Sequence, residues 1–419
     1  MTKKSSVETE ARRETSDEGW RQPSADHDNV DGAQHPRSVS RFVIGALAKG
    51  GNTVLQRLTC GVFLILGACG GPFNEETVEG MRKLTGHFRS TKDGIVDFKL
   101  KVDKEETAFL MTVTTDAPNY GYTDYLQGPK KAELLDAAEE WNSPKMRTSA
   151  PFPADVMTLN WPITGEDEFE KGKFHIDVGI VDHSDSMVKR GPCKIEILLK
   201  EDSDLEEGTL KATIFYAGSV DGDANIATAT QAAVERWRTL YEPAGIEVEV
   251  EYDSWDEDRF DPPGMGTEEQ YENLSASTTD RTVNIIIAPS IQLWDEIYGI
   301  AGDIPGPLVS SSRSAVLLSV EVSAGPDGYF NAMEERLFGE TIAHETAHFL
   351  GLFHPVETTW DTWDALEDTP GCTTESECLI EMGDHLMFPF PLCGPQTCEP
   401  QTVITDSQIE VLNRYVGVD

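Results

Sequence analysis

His344-Glu345-Thr346-Ala347-His348-Phe349-Leu350-Gly351-Leu352-Phe353-His354 places three imidazoles and one carboxylate on a single short stretch. His344 and His348 are four residues apart. A helix puts both rings on one face, about one turn apart, close enough to share an ion. The upstream run, residues 332–343, suits a helix leading into the site. Gly351 is expected to end that helix, because glycine tolerates the positive φ of a sharp exit. The chain then turns and delivers His354 as a third ligand. Three histidines leave the fourth position of a zinc ion open, the arrangement of a catalytic site. Glu345 points beside the metal, where a carboxylate can take a proton from the water that such an ion activates. A bare His-Glu-x-x-His arises by chance fairly often, but its continuation through glycine to a third histidine does not.

This stretch resembles the long zinc signature of the metzincin metallopeptidases. The resemblance implies an α/β (α+β) catalytic domain with a mixed twisted sheet and a zinc helix. It also implies endopeptidase activity on protein or peptide substrates and one catalytic Zn2+. Asp384-His385-Leu386-Met387-Phe388-Pro389 looks like the clan's Met-turn, with Met387 forming an apolar floor under the metal. The subfamily features are mixed. Leu386-Met387-Phe388-Pro389 is similar to the matrixin turn, and Pro355 after the third histidine is similar to the serralysins. The cysteine-containing segment between His354 and Met387 is similar to the pappalysin-like group. Several metzincin families carry a tyrosine two residues after the turn methionine, and here that position is Pro389.

The composition narrows the partners. The 419 residues suffice for two domains, and 34 Lys plus Arg against 74 Asp plus Glu give a formal charge of −40. Such acidity disfavours nucleic acid and anionic membrane as surface partners. It leaves Ca2+ open, with Asp221, Asp223 and Asn225, and Asp361, Asp364, Glu367 and Asp368, as candidate ligands. Neither group follows a full EF-hand pattern, and solvated carboxylates are the simpler expectation. Cys372, Cys378, Cys393 and Cys398 read as two disulfides with three pairings open, of which the local one (372 with 378, 393 with 398) is preferred. A second, structural zinc is the rival, although the spacing is not paired Cys-x-x-Cys. Cys193 is expected to be a buried strand cysteine rather than a latency thiol.

Residues 54–71 combine a basic residue, a short apolar run and small residues before a cysteine, the pattern of an export signal. Leu66-Gly67-Ala68-Cys69 resembles a bacterial lipobox, which implies lipidation at Cys69 and a place in the cell envelope or on the surface. A plain secretory signal, or a buried apolar stretch, is the alternative. Membrane contact is then expected only through that anchor, because the run is too short to span a bilayer. The polar residues 1–53 ahead of it read as disordered, with translation expected to start near Val54.

The expected organisation is a disordered extension plus signal over 1–69 and a tether over 70–88. A small all-β sandwich follows over 89–201, then a zinc metallopeptidase domain over 209–419. Alternation marks strands at 95–102, 107–114, 173–181 and 194–199, with one helix at 130–141. After an acidic linker at 202–208, strands are expected at 210–217, 246–252, 283–288 and 315–322. Helices are expected at 224–240 and 406–415, and residues 298–302 form a candidate edge strand that could bind substrate backbone. A monomer is expected. A surface binding lipoprotein with a non-catalytic peptidase domain is the competing reading.

Overall fold

The computed structural model describes residues 73–419, except 79, 104, 117, 141–142, 148–154, 168, 183–186, 203–204, 256–267, 292–296, 326 and 395–396. The expected disordered extension, export signal and lipidated Cys69 lie outside the described residues.

Two antiparallel sheets build the first half. They use β1 (Asn74–Val78), β2 (Met81–Arg89), β3 (Ile95–Val102), β4 (Glu106–Thr115), β5 (Asn119–Gln127), β6 (Glu133–Asp136), β7 (Val156–Trp161), β8 (Gly172–Asp182) and β9 (Pro192–Glu201). The order is β1-β2-β9-β4-β7 in one sheet and β3-β8-β5-β6 in the other. β3 buries Val96, Phe98, Leu100 and Val102 and turns Asp97, Lys99 and Lys101 outward, which is the period-two pattern of a half-buried strand. Those apolar faces meet Phe109, Met111, Ile195, Ile197 and Leu199 of the other sheet in one core.

Two expectations fail in this half. Residues 74–78 and 81–89 are strands rather than a tether. β1 is polar and mostly exposed, and its ladder with β2 holds it where no apolar face announces it. The helix expected over 130–141 is also absent. Pro129 opens a tight 3-10 turn in which Lys130 and Lys131 adopt positive φ, β6 then pairs with β5, and among the described residues of that range only Ala137–Glu140 is α-helical. A second short helix, α1 (Pro144–Arg147), follows.

The second half carries β10 (Gly208–Ala217), β11 (Ile246–Trp255), β12 (Val283–Ala288), β13 (Gly299–Ala301) and β14 (Ala315–Ser319) in the order β11-β10-β12-β14-β13. The first four are parallel, and β13 closes the edge antiparallel to β14. This is the mixed α/β sheet expected from alternating strand and helix signals. Helix α2 (Ala224–Tyr241) packs against α3 (Ala332–Phe349), and the Tyr241 hydroxyl donates to the Ala343 carbonyl at 2.9 Å. Arg236 joins them from α2 by an ion pair to the buried Glu340, 2.7 Å away. Helices α4 (Glu375–Met382) and α5 (Asp406–Arg414) complete the chain.

The two halves share a core. On β4, Phe109, Met111 and Val113 point into the sandwich, whereas Ala108 and Leu110 point the other way and pack with Leu210, Ile214 and Trp237. Leu198 on β9 does the same. The first sheet is therefore buried on both faces. Polar groups seal the contact: Lys200 Nζ donates to the Asn413 carbonyl at 2.9 Å, and Asn160 bonds both the Arg414 carbonyl and the Val416 amide.

Asp303 sits at this junction, 3 % exposed, and burial pushes its carboxyl up to about 8. Since the folded value lies above the unfolded one, its contribution is intact below about pH 4 and is lost as pH rises toward 8. Asp303→Asn should therefore raise the melting temperature at pH 8.5 and change it little at pH 5. Thermal unfolding at both values checks this, and an effect independent of pH would refute it.

Candidate metal centre

Helix α3 begins with a capping box. The Asn331 side chain accepts from the amides of Met333 and Glu334, and Glu334 reaches back to the Asn331 amide. The helix ends at Phe349 with Leu350 as its cap, and Gly351 just beyond has a φ of 115°, where only glycine is unstrained. The turn that follows brings His354 back onto His344 and His348. Ring centroids lie 4.7, 5.3 and 4.6 Å apart, and one nitrogen from each ring falls within 4.8 Å of the others.

The outer nitrogens orient the rings. His344 Nδ1 donates to the Leu386 carbonyl at 2.7 Å and His348 Nδ1 to the Leu352 carbonyl at 2.6 Å. His354 Nδ1 faces Glu357 Oε2 at 2.9 Å. Each Nδ1 carries the proton because its partner only accepts, so in the neutral rings each Nε2 presents a lone pair. Two of these, on His348 and His354, stand 3.1 Å apart. Ligands about 2.0 Å from a tetrahedral ion sit about 3.3 Å from one another. Converging lone pairs repel unless a cation lies among them, so the donor set fits a divalent ion. Burial, then the neighbouring His354, pushes His344 down to about 3, and the same two causes lower His348.

Residues 385–388 form a turn, closed by the Phe388 amide on the His385 carbonyl at 3.1 Å. Leu386 in this turn holds His344, and Met387 beside it is fully buried in the main core. Glu345 is 9 % exposed. Burial pushes its carboxyl up to about 8, with the Ala301 backbone amide pulling the other way. A cation beside it would bring that value back toward the ordinary carboxylate range. Edge strand β13 runs so close that a Cβ on Gly299 would come within 2.8 Å of Glu345 Cγ.

Two contributors escape a sequence reading. Glu357, three residues past His354, is a carboxylate within reach of a ligand ring and could have been suspected. Arg147, more than 200 residues upstream, carries no local signal. Burial alone would raise Glu357, but His354 and Arg147 outweigh it and hold the carboxyl down at about 2.

The other candidates have structural roles. Cys372 pairs with Cys378 and Cys393 with Cys398. Cys193 lies in the sandwich core, where burial pushes its thiol up to about 12. Asp223 caps α2, Asp364 accepts from Thr369 and the Leu366 amide, and Asp368 accepts from Thr405 and the Ser407 amide. None belongs to a metal-ligating cluster among the described residues, so nothing supports Ca2+ there. Trp360 lies tilted against Phe388 and edge-on to Phe390 in a satellite core that also takes Trp363 and the Cys372–Cys378 disulfide.

By sequence the chain matches no family model and no curated protein. Among solved structures it is similar to archaemetzincin from Methanopyrus kandleri, with 13 % identity and a TM-score of 0.27 over 50 % of this chain and 88 % of that one. It is also similar to metalloproteinase-II from Bacteroides fragilis, with 12 % identity and a TM-score of 0.23 over 75 % of this chain and 85 % of that one. A family two carbohydrate esterase from Clostridium thermocellum follows, with 12 % identity and a TM-score of 0.17 over 67 % and 98 %. Scores this far below 0.5 establish no shared chemistry.

Proposed function

We propose that the chain is a zinc-dependent endopeptidase of the metzincin kind. The observation that carries this reading is the convergence of three oriented Nε2 atoms beside a buried glutamate that the edge strand touches. His344, His348 and His354 would hold the ion, and the turn at Met387 would fix the first of them through Leu386. Bound there, zinc supplies Lewis-acid polarisation of the scissile carbonyl and acidifies water. Glu345 takes a proton from water as its oxygen attacks the carbonyl carbon. The same carboxyl then gives that proton to the amide nitrogen as the C–N bond breaks. β13, at the sheet edge beside Glu345, would pair with the extended substrate backbone.

The two disulfides support an oxidising compartment, in keeping with an exported, lipid-anchored enzyme. No helix among the described residues is long and apolar enough to cross a membrane. A monomer acting on peptide or protein, with no nucleic-acid partner, completes the reading.

Digestion of a mixed peptide library tests it. New amino termini should appear with wild type and not with His348→Ala. Retention of peptides without cleavage would instead support the surface binding lipoprotein. A second variant probes the edge strand. Gly299→Ala should slow cleavage by about 10²-fold while leaving bound metal in place, because its Cβ displaces Glu345 by about an ångström. Wild-type turnover by that variant would contradict the assigned position of Glu345.

A further inference from the structure

We propose that Arg147, reaching in from the N-terminal sheets, is a positioning residue for the third metal ligand. The first sheets are then a working part of the metal centre rather than an appendage. This inference rests on reading the three histidines as a metal site.

The three ligands are not held alike. His344 and His348 rise from a capped helix and bond backbone carbonyls, so the main chain sets their aim. His354 follows the helix on a turn and bonds a side-chain carboxylate, Glu357 Oε2. That carboxylate has rotamer freedom of its own, so the aim of His354 depends on what fixes Glu357.

Arg147 fixes it. One guanidinium nitrogen lies 2.5 Å from Glu357 Oε1 and another donates to the Trp363 carbonyl at 3.1 Å. The guanidinium carbon sits 4.3 Å over the Phe353 ring. It thus touches the residue before His354, the residue that orients it and the far end of the same loop. A planar fork suits this combination and an ammonium does not. Arg147 is itself anchored. Met146 beside it is buried in the sandwich core, and Lys145 pairs with Asp167 at 2.6 Å. Asp167 in turn accepts from the amides of Ile163 and Thr164.

Charge and positioning predict opposite signs, which makes the proposal decidable. Arg147 is a cation near a cation site, so removing it on charge grounds alone should tighten metal binding. If Arg147 instead holds Glu357 and through it His354, removing it should loosen binding.

The test uses the full chain as wild type, Arg147→Met, Arg147→Lys, Glu357→Gln and the double variant R147M/E357Q. Zinc affinity is measured by competition with a chromophoric chelator at fixed pH, with kcat and KM on one peptide and thermal unfolding alongside. Wild type should bind one zinc. Arg147→Met and Glu357→Gln should each weaken it by about 10-fold, the double variant should be no worse than the weaker single one, and Arg147→Lys should fall between. The loss should appear in kcat rather than KM. Unchanged or tighter binding by Arg147→Met, or faster cleavage, overturns the proposal while wild-type zinc binding keeps the metal site standing. A wild type that binds no zinc overturns both. Should Arg147→Met fail to fold, Arg147→Lys against Glu357→Gln decides: lysine binding zinc as wild type does, with glutamine weakened, overturns it.

Discussion

Glu345→Gln is expected to lower peptide cleavage by about 10³-fold while the variant still binds one zinc. The expectation follows from where the carboxyl sits. It lies on the helix next to His344, 9 % exposed, and none of the ligand contacts depends on it. An amide of the same shape occupies the same space and cannot accept the proton. The variant should also be no less stable than wild type, because burial already disfavours the charged carboxylate that the substitution removes. Rate, metal content and melting temperature on one preparation separate these effects. A glutamine variant that cleaves at more than about a tenth of the wild-type rate with zinc bound would remove Glu345 from the chemistry.

Stripping the metal is expected to lower the melting temperature by about 5–10 °C, and returning zinc should restore it. Without an ion, the Nε2 lone pairs of His348 and His354 face each other at 3.1 Å in a partly buried site. An ion held at about 1,000 times its dissociation constant contributes about 4 kcal/mol to the folded state. Magnesium or calcium should not replace zinc, since three imidazoles suit borderline metals and offer no oxygen. A melting temperature unmoved by verified metal removal would mean that the histidines do not bind the ion in the folded state.

The histidine cluster was legible because its signal is local. Residues 344–354 place the helix phase, the helix end and the third histidine within one stretch, and the turn at Met387 lies downstream in the same half. The parallel strands were legible as apolar runs such as 283–288, fully buried in the sheet. The joining of the two halves was not. On β4 Phe109, Met111 and Val113 face the sandwich while Ala108 and Leu110 face the core of the second half, so residues 108–111 are continuously apolar and the second partner leaves no periodic trace. β1 was hidden for the opposite reason, being a polar strand held by backbone pairing alone. Arg147 was hidden because a contact between residues 147 and 357 exists only once the two halves have packed together.

One titration tests the central claim most directly. Zinc is added in fractions of an equivalent to chelator-stripped protein, and the rate of peptide cleavage is followed at each step. The proposed centre predicts a rate that climbs from near zero and breaks at one equivalent in wild type, and stays flat in His348→Ala. Cleavage that persists without metal, or a rate that zinc never restores in a protein that binds it, would contradict the assignment.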